Sequence, residues 1–294
     1  MTLADLRAAL LANGPFVRAE APYQRLVVHG PEAGDFVQRL CSQDVLGAAD
    51  GEVRPAAFLD AKGKLLVTCL VARHDGAYWL ETSADQAERL ALLLERYHST
   101  EKLGIERRPA RGRERIAAAT GVGLRSSTAD HFVFERRGIR FERDYGPPLA
   151  GSAATELDPE RAECLRLVAG LVRVGVETEP STLGLEADLD DHCSTTKGCY
   201  TGQEIVARIH TYGHVNRKLC LLQFGPGAPI ERPAPLHDAD QIAVGRVMHA
   251  VPLPGGGGRL GIGFLPRDFQ ALGTRVVLAD GSDALVIGYE PLPA

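Results

Sequence analysis

Apolar positions change their period along this chain, and the changes divide it into segments. Leu3, Leu6 and Leu10 recur with helical spacing behind Thr2 and Asp5, a capping-box pattern, and Gly14-Pro15 ends the segment, which predicts a short N-terminal helix. Residues 25–29 read as a strand. Pro31 then opens a helix with Ala33, Phe36, Val37 and Leu40 on one face. Three apolar segments follow, 56–59, 65–72 and 78–82, separated by Asp60-Ala61-Lys62-Gly63 and by Asp75-Gly76, which are hairpin signals. Ser83 and Gln86 are placed to cap another helix, whose Leu90, Leu93, Leu94 and Tyr97 fall at i, i+3, i+4 and i+7.

The basic stretch 107–115, with Pro109 and Gly112, reads as a solvated connection at a seam between subdomains. After Arg217 helical periodicity is lost. Short strands at 219–224, 244–250, 260–264, 275–278 and 284–289 predict a small β-barrel. The glycine run 255–258 lacks a following Gly-Lys-Ser/Thr and leads into a strand, so it reads as a hairpin turn rather than a phosphate loop.

Composition narrows the function classes. A chain of 294 residues, 45% hydrophobic and 24% charged, is an ordinary globular sequence long enough for one composite domain and a smaller one. Its formal net charge of -5 supplies no global positive field for phosphate backbones or anionic lipid, which argues against bulk nucleic-acid binding and against a membrane partner. No run approaches the roughly 20 apolar residues of a membrane span, so a cytoplasmic protein is expected. Six scattered cysteines without a Cys-x-x-Cys pair fit a reducing compartment and give no support to a resident metal or cluster site.

Candidate chemistry gathers at Lys197-Gly198-Cys199-Tyr200-Thr201-Gly202-Gln203-Glu204. Thr201 and Glu204 form a second capping-box pattern ahead of Ile205, Val206 and Ile209, which places a helix start near Gly202 and Cys199 just before it. The helix end and the Lys197 ammonium would both favour a thiolate there, so a nucleophilic or redox-active sulfur is plausible. The same residues also fit a plainer reading, with Cys199 a small filler and Gly198 and Gly202 serving turn geometry. Cys69 and Cys220 fall inside apolar strands and read as core thiols. Asp191-His192-Cys193 are too closely adjacent to converge on one metal, and Gly213 interrupts the helix between His210 and His214.

The eight-residue motif with Ile205-Val206-Ala207-Arg208 behind it resembles the signature of YgfZ-type proteins in the folate-binding, glycine-cleavage T-protein-like superfamily. Residues 36–45, containing Ser42-Gln43-Asp44-Val45, and Leu59-Asp60-Ala61-Lys62-Gly63-Lys64 resemble two further stretches of that family. Leu165-Arg166-Leu167-Val168-Ala169-Gly170 resembles a segment shared with the T-protein, with Val168 where an acid is usual, so Arg166 is expected to lack its usual partner.

The resemblance implies an α+β fold: a composite folate-binding domain over 1–214, with a strand-rich, ferredoxin-like subdomain at about 48–110, and a C-terminal β-barrel over 215–294. It implies tetrahydrofolate or a related reduced folate as cofactor. Arg166, Tyr200, Gln203 and Glu204 would be binding residues, and Cys199 and Lys197 the chemical centre. The implied role is support of iron–sulfur cluster assembly or maintenance in client enzymes, tRNA-modifying ones included, through contact with client or assembly proteins. An aminomethyltransferase of the T-protein type would need a carboxylate at the pterin, for which Asp85 or Glu88 is available; each also reads as an ordinary first-turn helix acid. A scaffold using neither folate nor thiol is the remaining alternative.

Overall fold

The computed structural model describes residues 2–108, 112–120, 126–146 and 155–288. The first helix, α1 (Leu3–Leu11), has the predicted capping box, with Thr2 Oγ1 accepting from the Asp5 amide, and it buries Leu3, Leu6 and Leu10. After β1 (Phe16–Arg18) and β2 (Tyr23–His29) comes α2 (Ala33–Leu40), which buries all four of the residues that its periodicity put on one face. Burying each large apolar side chain of such a face is worth about 1.5–3 kcal/mol, which holds so short a helix in place.

The hairpin strands β3 (Val53–Leu59), β4 (Leu65–His74) and β5 (Ala77–Ser83) lead into α3 (Ala87–Tyr97) and β6 (Gly104–Arg108). These strands form a five-stranded antiparallel sheet in the order β3-β4-β5-β2-β6, with α2 and α3 packed on it. The sheet takes β2 from before residue 48, so the strand-rich middle is not contiguous in sequence. At the start of α3 the predicted side-chain cap is absent: Ser83 ends β5, and the Gln86 side chain instead donates to the Val174 carbonyl 2.8 Å away.

Beyond the seam the chain builds β7 (Arg113–Ala118), β8 (Ser126–Thr128), β9 (His131–Arg136), β10 (Ile139–Asp144) and β11 (Thr155–Glu156). With β1 they make a second sheet, ordered β11-β1-β7-β10-β9-β8. The basic stretch is therefore mostly strand: its ends belong to β6 and β7, and residues 109–111 lie outside the described ones.

Helix α4 (Pro159–Val168) starts on an Asp158 cap with Pro at its first turn, and it buries residues on nearly every side. After α5 (Gln203–Tyr212), which Gly213 ends, the strands β12 (Arg217–Phe224), β13 (Ala234–His237), β14 (Ala243–Pro252), β15 (Arg259–Pro266), β16 (Arg275–Leu278) and β17 (Asp283–Val286) close into the expected barrel. The sequence pattern missed β13, whose four residues include Pro235 and border Pro233. The glycine run is the β14–β15 turn. Tyr289, the expected end of the last strand, lies outside the described residues. No helix among the described residues is long and apolar enough to cross a membrane.

Candidate functional site

A cavity of about 290 Å³ lies between the two sheets and α4. Its apolar wall includes Tyr23, Ile116, Phe134 and Phe141, the last two stacked with ring centroids 5.0 Å apart. Strand parity supplies its charges. In β7 and β10, Glu114 shares a face with Ile116, and Arg143 with Phe141; Arg143 is the direct register partner of Glu114. The Arg143 guanidinium, 2% exposed, pairs with Glu114 at 2.9 Å and with Glu81, and it lies 3.3 Å from the Tyr23 ring centroid. Tyr145 donates its hydroxyl to Glu81, and Arg18 pairs with Glu114. Burial alone would lower the Arg143 pKa, but Glu81, Tyr23 and Glu114 outweigh it and hold the group firmly charged.

Arg166 lines the same cavity from α4. Val168 is fully buried in the core, yet the expected loss of a partner does not occur. Arg166 is clamped by Glu177 at 2.6 Å and by Glu163 at 2.7 Å, which hold its pKa up against the opposing effect of burial. Glu177 lies eleven residues further on, outside the recognisable segment. Of the two candidate acids, Asp85 lines the cavity, whereas Glu88 is on the outer surface of α3, paired with Arg107 at 2.5 Å.

Sequence reasoning missed Glu81, Glu114, Arg143 and Tyr145. The signal was present in the alternation of β7 and β10, which assigns Glu114 and Arg143 to the inward face.

None of Lys197, Cys199, Tyr200, Gln203 and Glu204 lines the cavity. Lys197, Cys199 and Tyr200 lie instead on a loop stitched to the end of α2, and Gln203 and Glu204 open α5 just after it. Ser42 donates to the His192 carbonyl at 2.6 Å and accepts the Ser194 amide at its own carbonyl at 2.8 Å; Gln43 donates to the Asp191 carbonyl, and the Thr201 amide reaches the Arg39 carbonyl. Tyr200 donates to the Ser194 carbonyl and Gln203 to the Lys197 carbonyl, so both support the loop, while Glu204 is exposed.

The predicted Thr201–Glu204 capping box does not form. The N-cap is Gly202, with φ +85°, and it has no side-chain cap bond. A Cβ there would come 2.7 Å from the Asp60 carbonyl oxygen, and one on Gly63, at φ +74°, would come 2.8 Å from Ile205 Cβ. Two of the recognised stretches, 59–64 and 197–204, thus meet through glycines because only backbone fits between them.

Lys197 also departs from expectation. Its ammonium is buried, donating to the carbonyls of Gln38, Cys41 and Gln43 at 2.5, 2.7 and 2.8 Å and lying 4.9 Å from the Tyr200 ring centroid. Burial lowers its pKa, with Cys41, Asp44 and Cys193 opposing. The cation expected beside the thiol is therefore turned into the protein, while Cys199 faces solvent. The other five cysteines are buried; burial pushes Cys193 up to about 11 and Cys164 and Cys220 up to about 12.

Among the described residues two clusters have metal-ligand spacing, Glu163-Glu177-His249 and the surface group Asp50-His74-Asp75. In the first, the carboxylates already accept bonds from Arg166, Arg173 and His249.

No protein-family model matches the chain. Over 240 residues, 71% of this chain, it is 29% identical to a mitochondrial iron–sulfur cluster assembly factor IBA57 homolog of Phaeosphaeria nodorum, covering 56% of that protein. Over 124 residues, 42% of this chain, it is 31% identical to a chloroplastic candidate transferase of Arabidopsis thaliana, covering 28% of it. The chain thus spans about half, or less, of the curated relatives it matches. In three dimensions it is similar to the glycine cleavage system aminomethyltransferase T of Bartonella henselae, with a TM-score of 0.71 and 16% identity over 97% of this chain and 88% of the other. The fold expected from the motifs is the fold observed.

Proposed function

From its place in the YgfZ-type branch of the glycine-cleavage T-protein superfamily, we propose that this chain is a cytoplasmic reduced-folate-binding factor. It would support iron–sulfur cluster assembly or maintenance in client enzymes, tRNA-modifying enzymes among them. One observation carries the reading: the only exposed thiol of the six, Cys199, is on a loop whose other end, His192, forms part of the cavity wall. A ligand in the cavity and a partner at the thiol would therefore engage the two ends of one hydrogen-bonded segment.

In this reading the aromatic wall and Arg166 hold the folate, and Cys199 is the group presented to client or assembly proteins. Tyr200 and Gln203 act by holding the loop. The relative's name, an iron–sulfur cluster assembly factor, supports the process, and the T-protein-like fold is consistent with a folate ligand.

Titration with tetrahydrofolate tests the ligand. At 100 times the dissociation constant the folded state should gain about 2.7 kcal/mol, readable as a thermal shift, with calorimetric heat at the same concentrations. Neither signal at millimolar ligand removes folate from the proposal. The thiol is tested in cells lacking the native protein: Cys199→Ser should fold normally and fail to sustain an iron–sulfur reporter enzyme, and full complementation would reduce the sulfur to a packing role.

One observation favours a second reading, a folate-dependent aminomethyltransferase. Asp85 lines the cavity without an ion-pair partner among the described residues, whereas Glu81, Glu114 and Glu163 are all held by arginines. Folate-dependent ammonia release from an aminomethyl-lipoyl carrier, abolished in Asp85→Asn, would establish it; no turnover is expected.

A further inference from the structure

The three carbonyls that enclose the Lys197 ammonium belong to Gln38, Cys41 and Gln43, at and just beyond the C-terminal end of α2. A helix leaves its last carbonyls without partners and carries partial negative charge there, so a buried cation satisfies both the hydrogen-bonding and the electrostatic demand. No carboxylate contacts this ammonium among the described residues; its partners are backbone oxygens and the face of Tyr200.

The same end of α2 also grips the loop that follows His192. Ser42 takes the His192 carbonyl and the Ser194 amide, Gln43 takes the Asp191 carbonyl, and the Lys197 and Thr196 amides both close on Ser194 Oγ. The lysine thus fastens the middle of a segment that has the cavity wall at one end and Cys199 at the other.

Resting on the proposed ligand and thiol reading, we propose that Lys197 is a positioning residue: it locks the 191–201 loop to the end of α2 and so sets both the His192 wall of the cavity and the presentation of Cys199, rather than serving as the thiol's charge partner.

Lys197→Met in the full chain tests this, since it removes the charge and keeps most of the length. Hydrogen exchange at the Ser194 and Thr201 amides should rise about tenfold or more as the loop opens locally. Tetrahydrofolate affinity should fall about three- to tenfold although Lys197 does not touch the cavity, a loss in the range of coupling through a packed network. Cys199 should react with iodoacetamide at least as fast as in the wild type.

Unchanged exchange with a tenfold slower alkylation would make the ammonium a direct partner of the sulfur and overturn the proposal, as would unchanged behaviour in all three measurements. If Lys197→Met does not fold, Lys197→Gln, whose neutral side-chain amide offers two donors for three carbonyls, should raise exchange at Ser194 and Thr201, and no rise there would overturn the proposal. Should tetrahydrofolate give no heat with the wild-type chain, the ligand reading falls by itself, and the exchange comparison alone decides the role of the lysine.

Discussion

The cavity and the Cys199 loop are held by opposite means. The cavity is a side-chain construction: arginines and glutamates from β1, β5, β7, β10 and α4, distant in sequence, neutralise one another in a largely buried space. The loop is held through backbone groups, met by a few polar side chains. Carbonyls, amides and two close-packed glycines join short stretches that are each contiguous in sequence. A side-chain network fails when one charge loses its partner, whereas a backbone junction fails when an atom is added where none fits.

Breaking the first kind should cost most. Arg143→Met leaves Glu81 and Glu114 buried without their shared cation, and about 3–5 kcal/mol of stability should be lost in urea unfolding. A loss below about 1 kcal/mol would mean that water or another cation reaches the carboxylates, and the contrast with the loop would fade.

Breaking the second kind should cost less. Gly202→Ala places a methyl 2.7 Å from the Asp60 carbonyl at a left-handed φ, and about 1–3 kcal/mol should be lost. Gly198→Ala sharpens the test within the same motif. A Cβ at 198 would meet nothing within 4 Å, so the variant should stay within about 0.5 kcal/mol of wild type. Equal effects at the two glycines would refute the backbone account of the loop.

Acid should act on an ion pair that links the regions. Burial alone would raise the Asp191 pKa, but His192 and Arg136 hold the carboxyl well below the usual range. A depressed carboxylate contributes stability that is complete above its unfolded pKa of about 3.9 and is lost as pH falls through the folded value. The melting temperature should therefore be level from pH 7 to about 5 and decline below about 4. Arg136→Met should start lower and decline less steeply.

An equally small effect on stability belongs to Cys199→Ser, a surface change expected within about 0.5 kcal/mol. Native iodoacetamide labelling of the wild type should modify Cys199 well before the five buried thiols, as read by mass spectrometry. Simultaneous labelling of Cys193 or Cys41 would show that the loop opens as a unit.

Much of the fold could be read from the chain itself. Period-3.6 faces located α1, α2 and α3, hairpin turns located β3 to β5, and the loss of helical period after Arg217 announced the barrel, because each signal is local and set by a one-sided burial. The motif that carries Cys199 was legible for the same reason, since its residues are consecutive. Other features became visible only in three dimensions. Glu177, the partner of Arg166, lies outside the recognisable segment, and the Glu81–Arg143–Glu114 network and the carbonyl cage around Lys197 each join residues far apart in the chain. A sequence shows that a lysine is charged and near a cysteine in number; where its ammonium points is decided by the unpaired carbonyls at the end of α2, which tertiary packing brings within reach.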